Sequence, residues 1–451
     1  MPKPLGWVKS GRVDLSEWVI HFVHGRNLDH APEPFSWPSK IDRKEERTVE
    51  EELELEWMCR AEEEGSHPTH FTSEGAQYWH AAWQDKDYRW ADDEAAFGVL
   101  LKIINDGFLR TGWSFRNGRA TIYGPYSAVC FTEMPLYAML DYARKRSKSG
   151  MVDTYAVAIR REDLYRAGAR PVIYGLTREA IEARRCDEEF GYGYRALKTS
   201  CLPLHEQYRY VVTDLGTDTP IDWTHEREWR WTDRKEKFDP PGLPLWLADS
   251  ENKFRPILLL VKTKSESSRI CNDLKELYDA GYNRFAADID REALLATRVL
   301  ALDNVSYEIL RNPSLRLDDL PLDRMTAIKS VKADAETLAA VKKAVKRAEE
   351  AGRKSAEEFG RTAPRNAQGL ILDTCGMAWV LTCDAHSKVT AALLELKIAN
   401  PNPVYGGYEL YGFDFGIHEQ SISLDEVAAK AAAEVLTKEL GQPFYMRSRL
   451  D

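Results

Sequence analysis

Trp18-Val19-Ile20-His21-Phe22-Val23 is a run of aromatic and β-branched positions too short for a helix and without helical spacing. It predicts a buried strand. From Asp92 to Asn105, the residues Ala96, Val99, Leu100, Ile103 and Ile104 recur at three and four positions. That stripe predicts a helix, with Asp92 or Asp93 to cap its start and Gly107 to end it. Strands are expected at Ala128–Thr132, Thr154–Ile159, Val172–Tyr174, Tyr208–Thr213 and Ile257–Val261. Their short, irregular spacing predicts an α+β fold with a mixed or antiparallel sheet and helices packed outside it, rather than a doubly wound sheet.

Between the first strand and the first helix, prolines at 32, 34 and 38 read as irregular chain, and the acid-rich stretch 41–64 as a solvated helix with a docked end. The charged, proline-rich stretch 233–244 marks a boundary. Beyond it a strand, helices near 273–279 and 290–296, and a strand at 299–302 form a small α/β extension. Alanine and mixed charge over 331–360 predict a mostly exposed helix that links or braces two units. Strands at 370–372, 379–382 and 408–415, a helix at 388–396, and a capping box Ser423-x-x-Glu426 ahead of a last helix complete the pattern. The expected partition is 1–245 as the first domain, 246–330 as an extension, 331–365 as a helical linker and 366–451 as a C-terminal α+β accessory domain.

A chain of 451 residues with 43% hydrophobic and 30% charged positions is expected to fold as more than one domain. Its net charge of -10 argues against a general nucleic-acid coat and leaves room only for a local basic groove. No run approaches the roughly eighteen apolar residues of a spanning helix, and the start lacks an apolar signal core. No membrane association is expected. Seven sparse cysteines, odd in number and never closely paired, fit a reducing cytoplasm.

Three segments concentrate the chemistry: His21 on the first strand, Cys130-Phe131-Thr132-Glu133-Met134-Pro135-Leu136, and Trp223-Thr224-His225-Glu226-Arg227-Glu228-Trp229-Arg230. Glu226 and Glu228, two apart, would share one face of a strand, with Trp223, Trp229 and Trp231 on the other. Such a pair is either a charged surface or an acid-base couple. A carboxylate beside a sugar stabilises the cation that forms when a glycosidic bond breaks, while its companion orients or deprotonates an acceptor. His21 either hydrogen-bonds a ribose or satisfies an internal carbonyl. Cys130 reads as a buried thiol unless its pKa is lowered. Thr132 and Glu133 either shape a pocket mouth or cap a strand end. Arg119 is placed to clamp a diphosphate or to make a surface salt bridge, and Tyr123 and Tyr126 to stack on an adenine or nicotinamide ring or to serve as turn aromatics.

Other chemistries lack their motifs. Gly191-Tyr192-Gly193-Tyr194 has no third glycine for a dinucleotide turn. His67, His70 and His80 do not form HExxH, and Ser387 lies outside G-x-S-x-G. Asp384, His386 and Lys388 are the only ligand candidates in the C-terminal part, where dimerisation is an equal expectation. A nuclease reading lacks a carboxylate-lysine cluster.

The order of Trp18 to Phe22, the helix from Leu100 to Gly107 with Phe108-Leu109, Val129 to Leu136, and Glu226-x-Glu228-Trp229-Arg230 resembles ADP-ribosyltransferase-like bacterial defence toxins of the DarT-like and AbiGi-like kinds. The resemblance covers the amino half. It implies a split mixed sheet that holds NAD as substrate, loss of nicotinamide, and transfer of ADP-ribose to a nucleic-acid or protein acceptor in anti-phage defence. A phage trigger or defence-system partner comes with that implication. By the same comparison His21 contacts the nicotinamide-side ribose, Glu228 is the catalytic carboxylate, Glu226 its companion, and Arg119 a cofactor contact. The alternative is a nonenzymatic regulatory or antitoxin protein that keeps a transferase-like shell.

Overall fold

The computed structural model describes residues 16–23, 25, 95–112, 115–116, 119–124, 126–147, 153–176, 197–198, 200–216, 220–234, 242–305, 311–312, 314–417, 419 and 421–450. The proline-rich and acid-rich stretches, Asp92, Asp93, His67, His70, His80 and the 191–194 motif lie outside them. In chain order the elements are β1 (Trp18–Val23), α1 (Ala96–Asp106), β2 (Phe108–Arg110), β3 (Phe115–Arg116), β4 (Arg119–Ala120), β5 (Val129–Thr132), α2 (Leu136–Ser147), β6 (Tyr155–Arg160), α3 (Arg161–Arg166), β7 (Arg170–Pro171), β8 (Ile173–Tyr174), β9 (Tyr210–Val211), β10 (Glu228–Trp231), β11 (Gly242–Pro244) and β12 (Leu258–Val261). They continue with α4 (Lys264–Ala280), α5 (Arg291–Ala296), β13 (Arg298–Ala301), α6 (Ala335–Thr362), β14 (Gly376–Thr382), α7 (Lys388–Glu395), β15 (Ala399–Pro401), β16 (Tyr408–Leu410), α8 (Ile422–Leu440) and β17 (Tyr445–Leu450).

Two compact units emerge: the described residues of Met1–Ser267 with Ala296–Thr326, and those of Ser268–Leu295 with Ala327–Asp451. These boundaries differ from the sequence partition. Strands β12 and β13 extend the first sheet, so most of the expected extension belongs to the first unit. The helix read as a linker, α6, is a core element of the second.

The first unit is a seven-stranded sheet in the order β13-β12-β6-β1-β5-β10-β7, with only the β12–β13 pair parallel. Trp18 and Ile20 point to the face covered by α2, where they pack with Met134, Leu136, Met139, Leu140, Ala156, Ala158, Leu258 and Leu260. Helix α1 follows its apolar stripe. Gly107, at φ 76°, ends it with its N–H on the Ile103 carbonyl, a left-handed position that glycine adopts without a Cβ penalty. The strand expected at Tyr208–Thr213 shortens to Tyr210–Val211, because Leu204–Arg209 forms a turn of 3-10 helix ahead of it.

In the second unit β14, α7, β15, β16, α8 and β17 form a four-stranded antiparallel sheet of order β15-β16-β14-β17, a split β-α-β-β-α-β arrangement. Val341, Ala344 and Ala348 of α6 and Ala429, Ala432 and Ala433 of α8 share one core with Val380, Tyr408 and Leu410. Alanines let the two helices approach closely. At Gly352 of α6 an added Cβ would overlap the Phe415 ring and lie 3.0 Å from the Ala428 carbonyl. Helix α6 is mostly exposed, as expected, and Val341, Ala344, Ala348, Gly352 and Ala356 form one buried stripe along it. The cap of α8 is Ser421, whose hydroxyl accepts from the Leu424 N–H at 3.2 Å; Ser423 lies inside the helix, and Glu426 accepts from the Ser448 hydroxyl instead. Residues 370–372 form no strand, and the strand at 408 stops at Leu410.

Candidate functional site

Strands β1, β5 and β10 lie side by side in the sheet, which brings the three chemistry-bearing segments together. Register pairs Glu228 with Thr132 and Arg230 with Cys130, so these four side chains share one sheet face. The β1–β5 ladder has a single register pair, Ile20 with Thr132. One residue past it, the His21 ring approaches β5, with Nδ1 2.9 Å from the Cys130 carbonyl. A carbonyl only accepts, so Nδ1 carries the proton. The same ring meets Phe131 edge-on at 5.7 Å. His21 and the Glu228–Arg230 pair thus both adjoin Cys130 from the strands that flank it, but from opposite sheet faces: His21 meets its backbone carbonyl on the side of Phe131, and Glu228 and Arg230 lie beside its thiol on the side that Ile20 and Thr132 share.

Glu228 is held by charge. Arg230 Nε donates to its Oε1 at 2.7 Å and Nη2 to its Oε2 at 3.3 Å, and the two side chains are 11% and 5% exposed. Arg230 also donates to the Tyr208 and Tyr210 carbonyls. Burial disfavours its charge, yet Glu228 raises its pKa above the ordinary arginine value. Burial, and next the Glu228 carboxylate, push the Cys130 thiol well above its usual range. Cys130 is therefore a protonated neighbour of Glu228; the lowered pKa that a nucleophile needs is absent. Tyr174 takes the Glu228 N–H on its hydroxyl at 2.6 Å, and burial pushes its phenol up to about 12.

The two glutamates do not share a strand face. Thr224–Glu226 is a turn of 3-10 helix, Arg227 is left-handed at φ 49°, and β10 begins only at Glu228. A non-glycine residue at positive φ redirects the chain between the carboxylates. Thr132 and Glu133 fix that turn: the Thr132 hydroxyl donates to the Glu226 carbonyl at 2.5 Å and accepts the Met134 N–H at 3.1 Å, and the Glu133 N–H donates to the Arg227 carbonyl at 3.2 Å. Glu133 further accepts from the Trp229 indole at 3.0 Å and from Arg161. The pocket-mouth threonine is thus a strand-end cap. Trp229 and Trp231 do share a face, as expected, whereas Trp223 sits off the strand.

Glu226 instead accepts from Tyr142 of α2 at 2.5 Å. Tyr142 belongs to an aromatic row that the sequence pattern did not single out. Phe22 and Tyr142 have centroids 5.9 Å apart, Tyr142 and His225 5.8 Å, and His225 and Trp223 6.1 Å. The Arg146 guanidinium lies 5.5 Å from the Tyr142 ring and 5.8 Å from Trp223. Tyr142 and Arg146, four apart, lie on one face of α2; that spacing was the available signal.

The expected ring-stacking tyrosines separate. Tyr123 is fully buried, edge-on to Tyr210 at 5.0 Å, among Leu197 and Leu202, so it is a core residue. Tyr126 is half-buried and packs with Ile122, Ala128, Tyr208 and Cys130, next to the Glu228 partner. Arg119 pairs through its backbone with Arg116 in a two-residue hairpin. In the second unit Lys388 pairs with Asp334 at 2.7 Å, and His386 takes the Lys329 N–H on Nε2 at 3.3 Å with Nδ1 3.2 Å from Asn272 Oδ1. These contacts tie α4 and α7 to neighbouring chain within that unit.

Among the described residues no group of three or more His, Cys, Asp or Glu side chains is arranged to hold a metal ion, and no helix is long and apolar enough to cross a membrane. Compared with known proteins, the chain matches no family model, no curated protein and no solved structure.

Proposed function

We propose that the first unit is an ADP-ribosyltransferase-like enzyme that takes NAD as substrate and transfers ADP-ribose to a macromolecular acceptor. The observation that supports this reading is the adjacency of β1, β5 and β10, which brings His21 to the Cys130 carbonyl and Glu228 beside the Cys130 thiol, one strand apart. In the proposed reaction the bond between the ribose C1′ and the nicotinamide nitrogen breaks, and its electron pair leaves with neutral nicotinamide. Glu228, paired with Arg230, stabilises the positive charge that develops on the sugar. An acceptor nucleophile then bonds to C1′ and its proton passes to Glu226, whose carboxylate lies on the turn before β10. His21 orients the ribose, and Tyr126 is the remaining tyrosine candidate for the ring. By the resemblance, the setting is bacterial anti-phage defence in the cytoplasm.

One observation favours the nonenzymatic shell: both oxygens of Glu228 are already occupied by Arg230. The deciding experiment incubates the full chain with NAD and with protein or nucleic-acid acceptors, and measures nicotinamide release and ADP-ribosylated product by mass. Release that Glu228→Gln abolishes in a folded protein supports the transferase. Absence of NAD binding, together with capture of a stable partner, supports the shell.

A further inference from the structure

In the second unit, helices α6 and α8 cover only one face of the four-stranded sheet. On the other face, register places Trp379 opposite Arg447 and Met377 opposite Arg449 across β14 and β17, and Leu381 opposite Glu409 across β14 and β16. Tyr405, from the turn between β15 and β16, sits against this face. Its ring centroid is 6.1 Å from that of Trp379, its hydroxyl accepts from Arg449 at 2.7 Å, and its carbonyl accepts from Arg447 at 2.5 Å. Tyr411, just past β16, is 51% exposed. The aromatic rings are thus interleaved with arginines on a sheet face that is exposed at Met377, Arg449 and Tyr411 and closed at Leu381 and Glu409, although the chain as a whole is acidic.

A buried group beneath them also points to a ligand. Glu409 is only 6% exposed; its Oε2 accepts from the Tyr411 hydroxyl at 3.1 Å, while its Oε1 has no hydrogen-bond partner. The Trp379 indole N–H, on the same face, is buried without an acceptor. An unpaired buried acceptor and donor are costly and call for a partner that offers both kinds of group.

We propose that this face binds single-stranded nucleic acid. Bases stack on Trp379, Tyr405 and Tyr411, and Arg447 and Arg449 attract the phosphates. When the exposed Tyr411 ring swings aside, Glu409 accepts from an amino group on a base edge and the Trp379 N–H donates to a base oxygen or nitrogen. Aromatic faces take any base, whereas a duplex keeps its bases stacked internally and offers no ring to this sheet. The inference is independent of the transferase reading, since none of these residues belongs to the first unit.

The test uses the full chain and 5′-labelled oligonucleotides of about twelve nucleotides, mixed-sequence RNA, DNA and duplex DNA, with binding read by fluorescence anisotropy at low and moderate salt. The expected result is binding of single strands in preference to duplex, weakened by salt, and about ten-fold weaker for each of Tyr411→Ala and Arg449→Glu. Both side chains are exposed, so circular dichroism should be unchanged. Three results would overturn the proposal: no single-strand binding at low salt, binding indifferent to the Tyr411 and Arg449 variants, or a dimer that these variants dissociate while no oligonucleotide binds.

Discussion

Removing the Glu228 carboxylate perturbs the fold as well as the chemistry, and the size of that effect follows from Arg230. Its side chain is 5% exposed and its Nε and Nη2 both rest on Glu228. Glu228→Ala would leave a guanidinium that cannot lose its proton enclosed in the sheet face. Breaking a buried pair from one side costs about 3–5 kcal/mol. The surviving bonds to the Tyr208 and Tyr210 carbonyls place this case near the lower end, about 3 kcal/mol. Glu228→Gln keeps an oxygen for Nε but loses the charge and the longer bond from Nη2, a loss of about 1–2 kcal/mol. Adding Arg230→Met to Glu228→Ala removes the stranded cation and should return the cost to about 1 kcal/mol, because apolar replacement of a buried pair is close to neutral. Urea unfolding of the four proteins in this cycle, with hydrogen exchange of the β5 and β10 amides to isolate the first unit, yields the coupling energy. An alanine variant within about 0.5 kcal/mol of wild type, or a double variant no more stable than the single, would refute the buried-pair reasoning. Activity lost in Glu228→Ala is therefore ambiguous, and the glutamine variant is the one that reports chemistry.

Three further outcomes follow from the same structure. Thr132→Val strands the buried Met134 N–H and frees the Glu226 carbonyl, so the first unit should lose about 1–3 kcal/mol in chemical denaturation; an unchanged midpoint would show that the cap is dispensable. The His386 pKa is lowered by burial and then by Lys275, with Lys329 adding to the effect and Asp384 and Asp279 opposing it. The folded imidazole binds its proton less tightly than the unfolded one, so the second unit should weaken as pH falls below about 6.5, with His386→Gln flattening the profile; a melting temperature that rises on acidification would contradict this. Gly352→Ala should destabilise the second unit by about 1 kcal/mol despite the better helix propensity of alanine, because the new Cβ meets Phe415 and the Ala428 carbonyl; a thermal melt showing stabilisation would mean that Phe415 yields freely.

Local pattern was enough for the elements whose burial is periodic. The apolar run at Trp18–Val23, the stripe of α1 with its closing glycine, and the strands at β5, β6 and β12 were legible because side chains on one face must leave water together. Proximity of the chemical segments was not legible. Hydrogen bonding of β5 to β1 and to β10 pairs strands from distant parts of the chain, and no local propensity encodes that pairing.

Conformation at single residues escaped the sequence for the same reason. Glu226-x-Glu228 fits a strand by spacing, yet contacts from Thr132 and Glu133 hold Arg227 in a left-handed turn and send the two carboxylates apart. Tyr123 reads equally as a turn aromatic and as a stacking ring until Tyr210 encloses it. On the mostly exposed α6, Ala344 and Ala348 look no different from the solvent-facing alanines until α8 packs into the same core with them. The sequence by itself determined the strands and helices whose burial is periodic, β1, α1, β5, β6 and β12 among them, since that depends on side chains within a few turns of chain. Tertiary structure alone decided which polar side chains meet, since their partners are supplied by distant strands whose order no local pattern specifies.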